Sequence, residues 1–349
     1  MKKGLLILFC FILLYSCGSS KKIYKKEIEI IRIKNDHLKL EINKLKAIID
    51  SITVLENNIP IIDTFSTTNP NTEFFKEINS EVIMIEVKVG ERISDFVKRL
   101  ENKKLTSKEA LIVLINKGVF NDKYNFIPAH VNGLLRFEGL IKPGIYNLTI
   151  SKNDNKHFKN EIHAISIFNV LLDKSSERFN DREKIRGLTK YELITMASII
   201  EKEDAFDTHA GIIASVFWNR NANNGRFGSC VTVEYLLGYH RPFLLFEDLD
   251  KVSNSSWSTY HHKGLPPTPI CFVSDETINE TINAKETDYY FFVMDWAKKI
   301  PYMAVKYEKH CDNAQIAKQS VIDVYGSSII HQKMENYYYD YFSTINLNN

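Results

Sequence analysis

The sequence is poor in cysteine and in net charge, and it lacks an apolar run long enough to span a bilayer. Its 349 residues include five cysteines. Cys10 and Cys17 fall near the start, which leaves Cys230, Cys271 and Cys311 for the body. Three is odd and sparse, so a disulfide framework is excluded. No two of the three stand at a CxxC-type interval, so they do not read as zinc ligands either. Lys plus Arg number 45 and Asp plus Glu 43, a formal charge of +2. With no basic stripe carrying interleaved aromatics, that balance argues against nucleic acid as a partner. Gly4 to Ser16 is almost wholly apolar, yet a spanning helix needs about 20 such residues.

The remaining composition, 44% hydrophobic and 25% charged, is that of a globular protein with a sizeable core. The length allows one large domain or two smaller ones. At the start, Lys2 and Lys3 precede the short apolar run, and small residues follow it. That order reads as a secretory leader over residues 1–17. Leu14-Tyr15-Ser16-Cys17-Gly18 resembles the lipobox of bacterial lipoproteins. The resemblance implies a lipid on Cys17 and a membrane anchor at the N-terminus. Over residues 18–57, apolar residues at Ile28, Ile31, Leu38, Ile42, Leu45, Ile49 and Ile52 step by threes and fours with Glu and Lys between them. This predicts an amphipathic helix or short coiled coil. Residues 58–80, rich in Thr, Asn, Ser and Pro, read as a linker.

A strand is predicted from Glu81 to Val87, closed by a turn at Gly90, then a helix from Arg92 to Asn102. Ser107 is placed to cap a helix running to Lys117, with Gly118 as its stop. Residues 81–150 therefore read as a small α+β module. Thr189 and Glu192 form a capping-box pattern ahead of a helix carrying Leu193, Met196, Ala197, Ile199 and Ile200. His209 to Arg220 reads as another helix. From Gly225 onward the chain reads as loop-rich, and Tyr289 to Met294 as a buried strand.

The run Met196-Ala197-Ser198-Ile199-Ile200-Glu201-Lys202-Glu203 delivers a carboxylate at the end of an apolar helix. Apolar neighbours and a negative helix terminus are expected to raise its pKa. A general acid for glycosidic cleavage needs that property. Glu201 is the first candidate. Glu203 is its rival, pointed to a different side of the helix by the two-residue step.

Several segments resemble, in order, the YceG-like endolytic lytic transglycosylases. They are Phe137-Glu138-Gly139-Leu140, the Ala197 to Glu203 run, Ala214-Ser215-Val216-Phe217-Trp218-Asn219-Arg220, Thr232-Val233-Glu234-Tyr235, Ser258-Thr259-Tyr260 with Gly264-Leu265-Pro266-Pro267, Tyr289 to Val293, and His310-Cys311-Asp312. The resemblance spans roughly residues 81 to 320. It implies an α+β fold: a small LysM-like module at 81–150 followed by a mixed α/β catalytic domain at 151–325, with the N-terminal helix before them and a tail at 326–349 after. It implies cleavage of the MurNAc–GlcNAc β-1,4 bond of peptidoglycan strands to leave 1,6-anhydro ends. Glu201 matches the family's catalytic glutamate. Asn219, Arg220, Thr232, Tyr235 and Tyr260 are the substrate-binding candidates. No metal or cofactor is implied. Glycan strands are the expected partner, with peptidoglycan synthases as candidate neighbours and the bacterial envelope membrane as the location. The alternative is a non-catalytic peptidoglycan-binding lipoprotein on the same scaffold. Gly228, Cys230, Val231, Ser258 and Pro301 depart from the family pattern.

Overall fold

The computed structural model describes residues 80–334, apart from 152–158, 180–183, 205 and 207. The leader with Cys17, the predicted helix at 18–57, the linker and most of the tail lie outside the described residues. Among the described residues no helix is long and apolar enough to cross a membrane.

Strand β1 (Ser80–Val87) pairs antiparallel with β2 (Gly144–Ser151), Ile85 opposite Tyr146. Between them in sequence come α1 (Ile93–Asn102), α2 (Lys108–Asn116) and a 3₁₀ turn at Gly133–Phe137. The caps do what the sequence asks of them. Gly90 takes φ +70° in the turn after β1, and Ser107 accepts a hydrogen bond from the Ala110 amide at the start of α2. One pleat face of the sheet, Ile85, Val87, Leu148 and Ile150, is buried against Phe96, Leu100 and Leu111. The helix α3 (Lys159–Ser176) joins the same hydrophobic cluster through Ile167, Phe168 and Leu171.

A second cluster is built around α4 (Lys190–Glu203) and α5 (Ala210–Ala222). Thr189 and Glu192 make the full capping box, each side chain bonding the other's backbone. Every residue of α4 from Leu193 to Lys202 is buried. A helix covered on all sides is a core helix rather than a surface one. Against it pack α6 (Cys230–Leu237) and α8 (Asp275–Ile282); α7 (Phe246–Lys251) lies against α6, and α9 (Tyr307–Tyr325) adds Val321 to the same cluster. A hairpin of β3 (Phe291–Asp295) and β4 (Ile300–Ala304) packs on α9. The region read as loop-rich thus contains four of the described helices. Three of them, α6, α7 and α8, are at most eight residues long, too short to show the 3.6-residue period clearly, whereas α9 runs for 19 residues.

The two clusters are tied by specific bonds. Phe272 inserts into the first cluster and exchanges backbone hydrogen bonds with Gly90 and Glu91. Arg92 donates to the Tyr235 carbonyl at 3.1 Å and lies over the Tyr235 ring at 4.7 Å. Glu138, buried between them, accepts from the Ile93 amide at 3.0 Å and the Tyr235 hydroxyl at 3.1 Å. Burial pushes the Glu138 carboxyl up to about 7.

Candidate active site

The last turn of α4 carries two glutamates on different sides. Residues two apart on an α-helix are separated by about 200° around its axis. Glu201 turns toward α8. Its Oε2 accepts from the Ser274 amide at 3.0 Å and the Ser274 hydroxyl at 2.8 Å. Ser274 is also the N-cap of α8, accepting from the Thr277 amide. Glu201 therefore fastens the start of one helix to the end of another.

Glu203 turns the other way, into a cleft of roughly 290 Å³. The cleft is lined by Arg220 from α5, Gly228 and Cys230 at the start of α6, Arg241 to Leu244, Leu249 of α7, Tyr260, Phe292 to Met294 of β3, Trp296, and His310 of α9. Its lining mixes apolar side chains such as Phe243, Leu244 and Phe292 with charged and polar ones such as Glu203, Arg220 and Tyr260, the usual make-up of a small-molecule site. Glu203 accepts a 2.5 Å hydrogen bond from the Ser229 hydroxyl through Oε1. Burial pushes its carboxyl up to about 7, with the Ser229 bond opposing that rise. A carboxyl poised there holds a proton near neutral pH and can also release it.

The other cleft groups are fixed from behind. The Arg220 guanidinium donates from Nε to the Tyr290 carbonyl at 2.9 Å and from Nη1 to the Phe227 carbonyl. It thereby pins the edge of β3 to the loop before α6. Burial holds it below the usual arginine range. The Tyr260 hydroxyl contacts the Cys230 thiol at 3.2 Å, and burial pushes that thiol up to about 12. His310 stacks on Phe291, with ring centroids 5.4 Å apart. Burial, then the Arg220 charge, lowers its pKa and favours the neutral imidazole. Among the described residues no group of three or more His, Cys, Asp or Glu side chains gathers as metal ligands do.

Of the residues singled out from sequence, Arg220 and Tyr260 line the cleft. Glu201 is not among its lining residues. Asn219 donates to the Thr287 and Tyr289 carbonyls, both at 2.7 Å, and so holds the approach to β3. Thr232 is fully buried and bonds Ser229 and Thr259. Tyr235 serves the junction with Glu138 and Arg92. Two departures from the family pattern, Gly228 and Cys230, line the cleft. Ser258 is buried on His261, and Pro301 is paired within the hairpin opposite Met294. Sequence reasoning missed Ser229, Arg241 and Trp296. Ser229 had one available signal, its place directly after a left-handed Gly228 (φ +55°) and ahead of a helix.

Comparison with known proteins gives a consistent picture. The model of the YceG-like family matches residues 64–316. A protein named endolytic murein transglycosylase from Streptococcus pneumoniae serotype 2 is 29% identical over 181 residues, covering 51% of this chain and 32% of the relative. One of the same name from Bacillus subtilis is 32% identical over 117 residues, covering 34% of this chain and 32% of the relative. The chain thus spans about a third of the length of these curated relatives. A solved structure of a putative yceG-like protein from Listeria monocytogenes shares the fold, with a TM-score of 0.53 at 21% identity, covering 66% of this chain and 75% of that one.

Proposed function

The chain belongs to the YceG-like family, and on that premise we propose that it cleaves peptidoglycan glycan strands internally as a lytic transglycosylase, with Glu203 as the acid and base. The observation that carries this is the Glu203 carboxyl, facing a sugar-sized cleft and held near 7 by burial. The role that the sequence offers to Glu201 goes to Glu203 because Glu201 is engaged by Ser274 on the other side of the helix.

The reaction runs in two proton steps. Protonated Glu203 gives its proton to the glycosidic oxygen between MurNAc and GlcNAc as that bond breaks. Glu203, now a carboxylate, takes the proton of the MurNAc C6 hydroxyl as its oxygen bonds to C1. The product ends in 1,6-anhydro-MurNAc, and Glu203 is again protonated. One carboxyl serves both steps because its state alternates, unlike the two-carboxylate arrangement of ordinary glycosidases. In this reading Arg220 and Tyr260 shape the polar side of the cleft, while Asn219, Thr232 and Tyr235 hold its frame. The β1-α1-α2-β2 module is the LysM-like part and steadies the strand. Cys17 anchors the chain to the envelope membrane, where termination of nascent strands beside the synthases is its task.

The test is digestion of purified sacculi by the full chain, with products read by mass. New 1,6-anhydro ends are expected. Reducing ends in their place would make the protein a hydrolase. No products from folded protein that still sediments with sacculi would make it a binding module.

A further inference from the structure

Two threonines beside Ser229 form, with its backbone, a closed circuit of hydrogen bonds. The Ser229 amide donates to Thr259 Oγ1 at 3.0 Å. The Thr259 and Thr232 hydroxyl oxygens are 2.9 Å apart. The Thr232 hydroxyl donates to the Ser229 carbonyl at 2.8 Å. Proton counting fixes every direction. A hydroxyl has one proton to give. Thr232 gives its own to Ser229, so the bond between the threonines must be donated by Thr259. Thr259 can do so because it receives from the Ser229 amide. The circuit has no ambiguous member, and all three residues are buried to within 2%.

The circuit grips Ser229 at its N–H and its C=O and leaves the side-chain hydroxyl outside. That hydroxyl spends its proton on Glu203 Oε1. The Gly228 amide, bonded to the Thr259 carbonyl at 3.0 Å, extends the grip by one residue. Ser229, Thr232 and Thr259 are not among the residues lining the cleft, although their neighbours Gly228, Cys230 and Tyr260 are.

We propose that Ser229 is the positioning residue for Glu203: clamped by the Thr232–Thr259 circuit, it holds Oε1 and leaves Oε2 as the oxygen that exchanges a proton with substrate. The proposal rests on the reading of Glu203 as the acid and base. Ser229 touches no reacting atom in this scheme. It sets which carboxyl oxygen is used and where it points. It also favours the ionised state, so it draws the acid down toward neutrality against the burial that raises it.

The experiment pairs kinetics with direct titration, on the full chain. Wild type, Ser229→Ala, Ser229→Thr and Thr259→Val are compared for turnover of sacculi between pH 5 and 9. The Glu203 carboxyl is titrated in each by ¹³C NMR with labelled glutamate. The acid must enter protonated, so wild-type turnover is expected to fall as pH rises through about 7. In Ser229→Ala this alkaline limb and the NMR titration move together to higher pH by about one unit. Its kcat drops about 10- to 100-fold at little change in KM. Ser229→Thr restores both readouts, because it keeps the hydroxyl. Thr259→Val moves both in the same direction by less. A limb and titration unchanged in Ser229→Ala would overturn the proposal. So would a Ser229→Thr variant that folds yet behaves as if the hydroxyl were gone. If Ser229→Ala does not fold, the Thr259→Val titration decides: a shift upward supports the clamp and no shift refutes it. Wild type that makes no anhydro ends at any pH overturns the assigned reaction instead, while the NMR titrations still judge the Ser229 contact.

Discussion

The two sides of the last turn of α4 place the same side chain in different surroundings. On one side Glu201 meets the cap of a neighbouring helix and takes two hydrogen bonds from one serine. On the other, Glu203 meets one serine hydroxyl and an open cleft. Helix geometry separates them by two residues and little else. Tertiary surroundings decide that one carboxylate fastens two helices while the other faces a substrate-sized space. An acid at the end of an apolar helix is thus not a site by itself, and what stands opposite it makes the difference.

The comparison predicts a graded set of effects. The largest should come from the side proposed as catalytic: Glu203→Gln is expected to lower turnover by about 10²- to 10⁴-fold, and Glu201→Gln by less than about threefold, both measured as anhydro ends released per folded protein. Equal losses would dissolve the contrast. The next effect concerns stability at the junction of the two clusters. Glu138→Ala leaves the Ile93 amide and the Tyr235 hydroxyl without their acceptor. A cost of about 2–3 kcal/mol in denaturant unfolding is expected, whereas Glu138→Gln, which keeps an acceptor, should cost clearly less.

Three acids shielded from water, Glu138 and Glu234 buried and Glu203 half-buried, make stability depend on pH. Burial raises Glu138 and Glu203 to about 7 and Glu234 to about 8, against an ordinary value of 4.5. Each binds its proton more tightly folded than unfolded, so this contribution is whole below pH 4.5 and is lost as pH rises through the folded values. The melting temperature should therefore fall between pH 5 and 8, and fall less steeply in Glu138→Gln. A melting temperature that rises over that interval would contradict the burial of these groups. The smallest effect belongs to the Glu201 side. Ser274→Ala removes the α8 cap and a donor to Glu201, and should cost about 1 kcal/mol while leaving the pH profile of turnover in place.

Much of this arrangement was legible before the structure. The strand at β1, the Ser107 cap and the Thr189–Glu192 box are local signals, and local chemistry decides them. Arg220 and Tyr260, singled out by the motif order, line the cleft. The choice between Glu201 and Glu203 was not legible, for a physical reason. An amphipathic helix advertises its outer face by pattern, but α4 is buried all round, so its sequence carries no stripe from which to orient the last turn. Thr232, a substrate-binding candidate from sequence, sits in a buried circuit of hydrogen bonds, and hydroxyls serve equally well in clefts and in such circuits. Arg241 and Trp296 reach the cleft from segments distant in sequence, brought there by α7 and the β3–β4 hairpin, and no local pattern reports such convergence.

The central claim is that the reacting glycosidic oxygen meets Glu203. It is tested most directly by a crystal structure of the full chain carrying Glu203→Gln, soaked with a peptidoglycan tetrasaccharide. The account predicts the sugar in the cleft between Arg220, Tyr260 and Trp296, its scissile oxygen within about 3 Å of the side chain at position 203, and Glu201 still bonded to Ser274. A glycan seated instead over Ser274, with its scissile oxygen on Glu201, would contradict it.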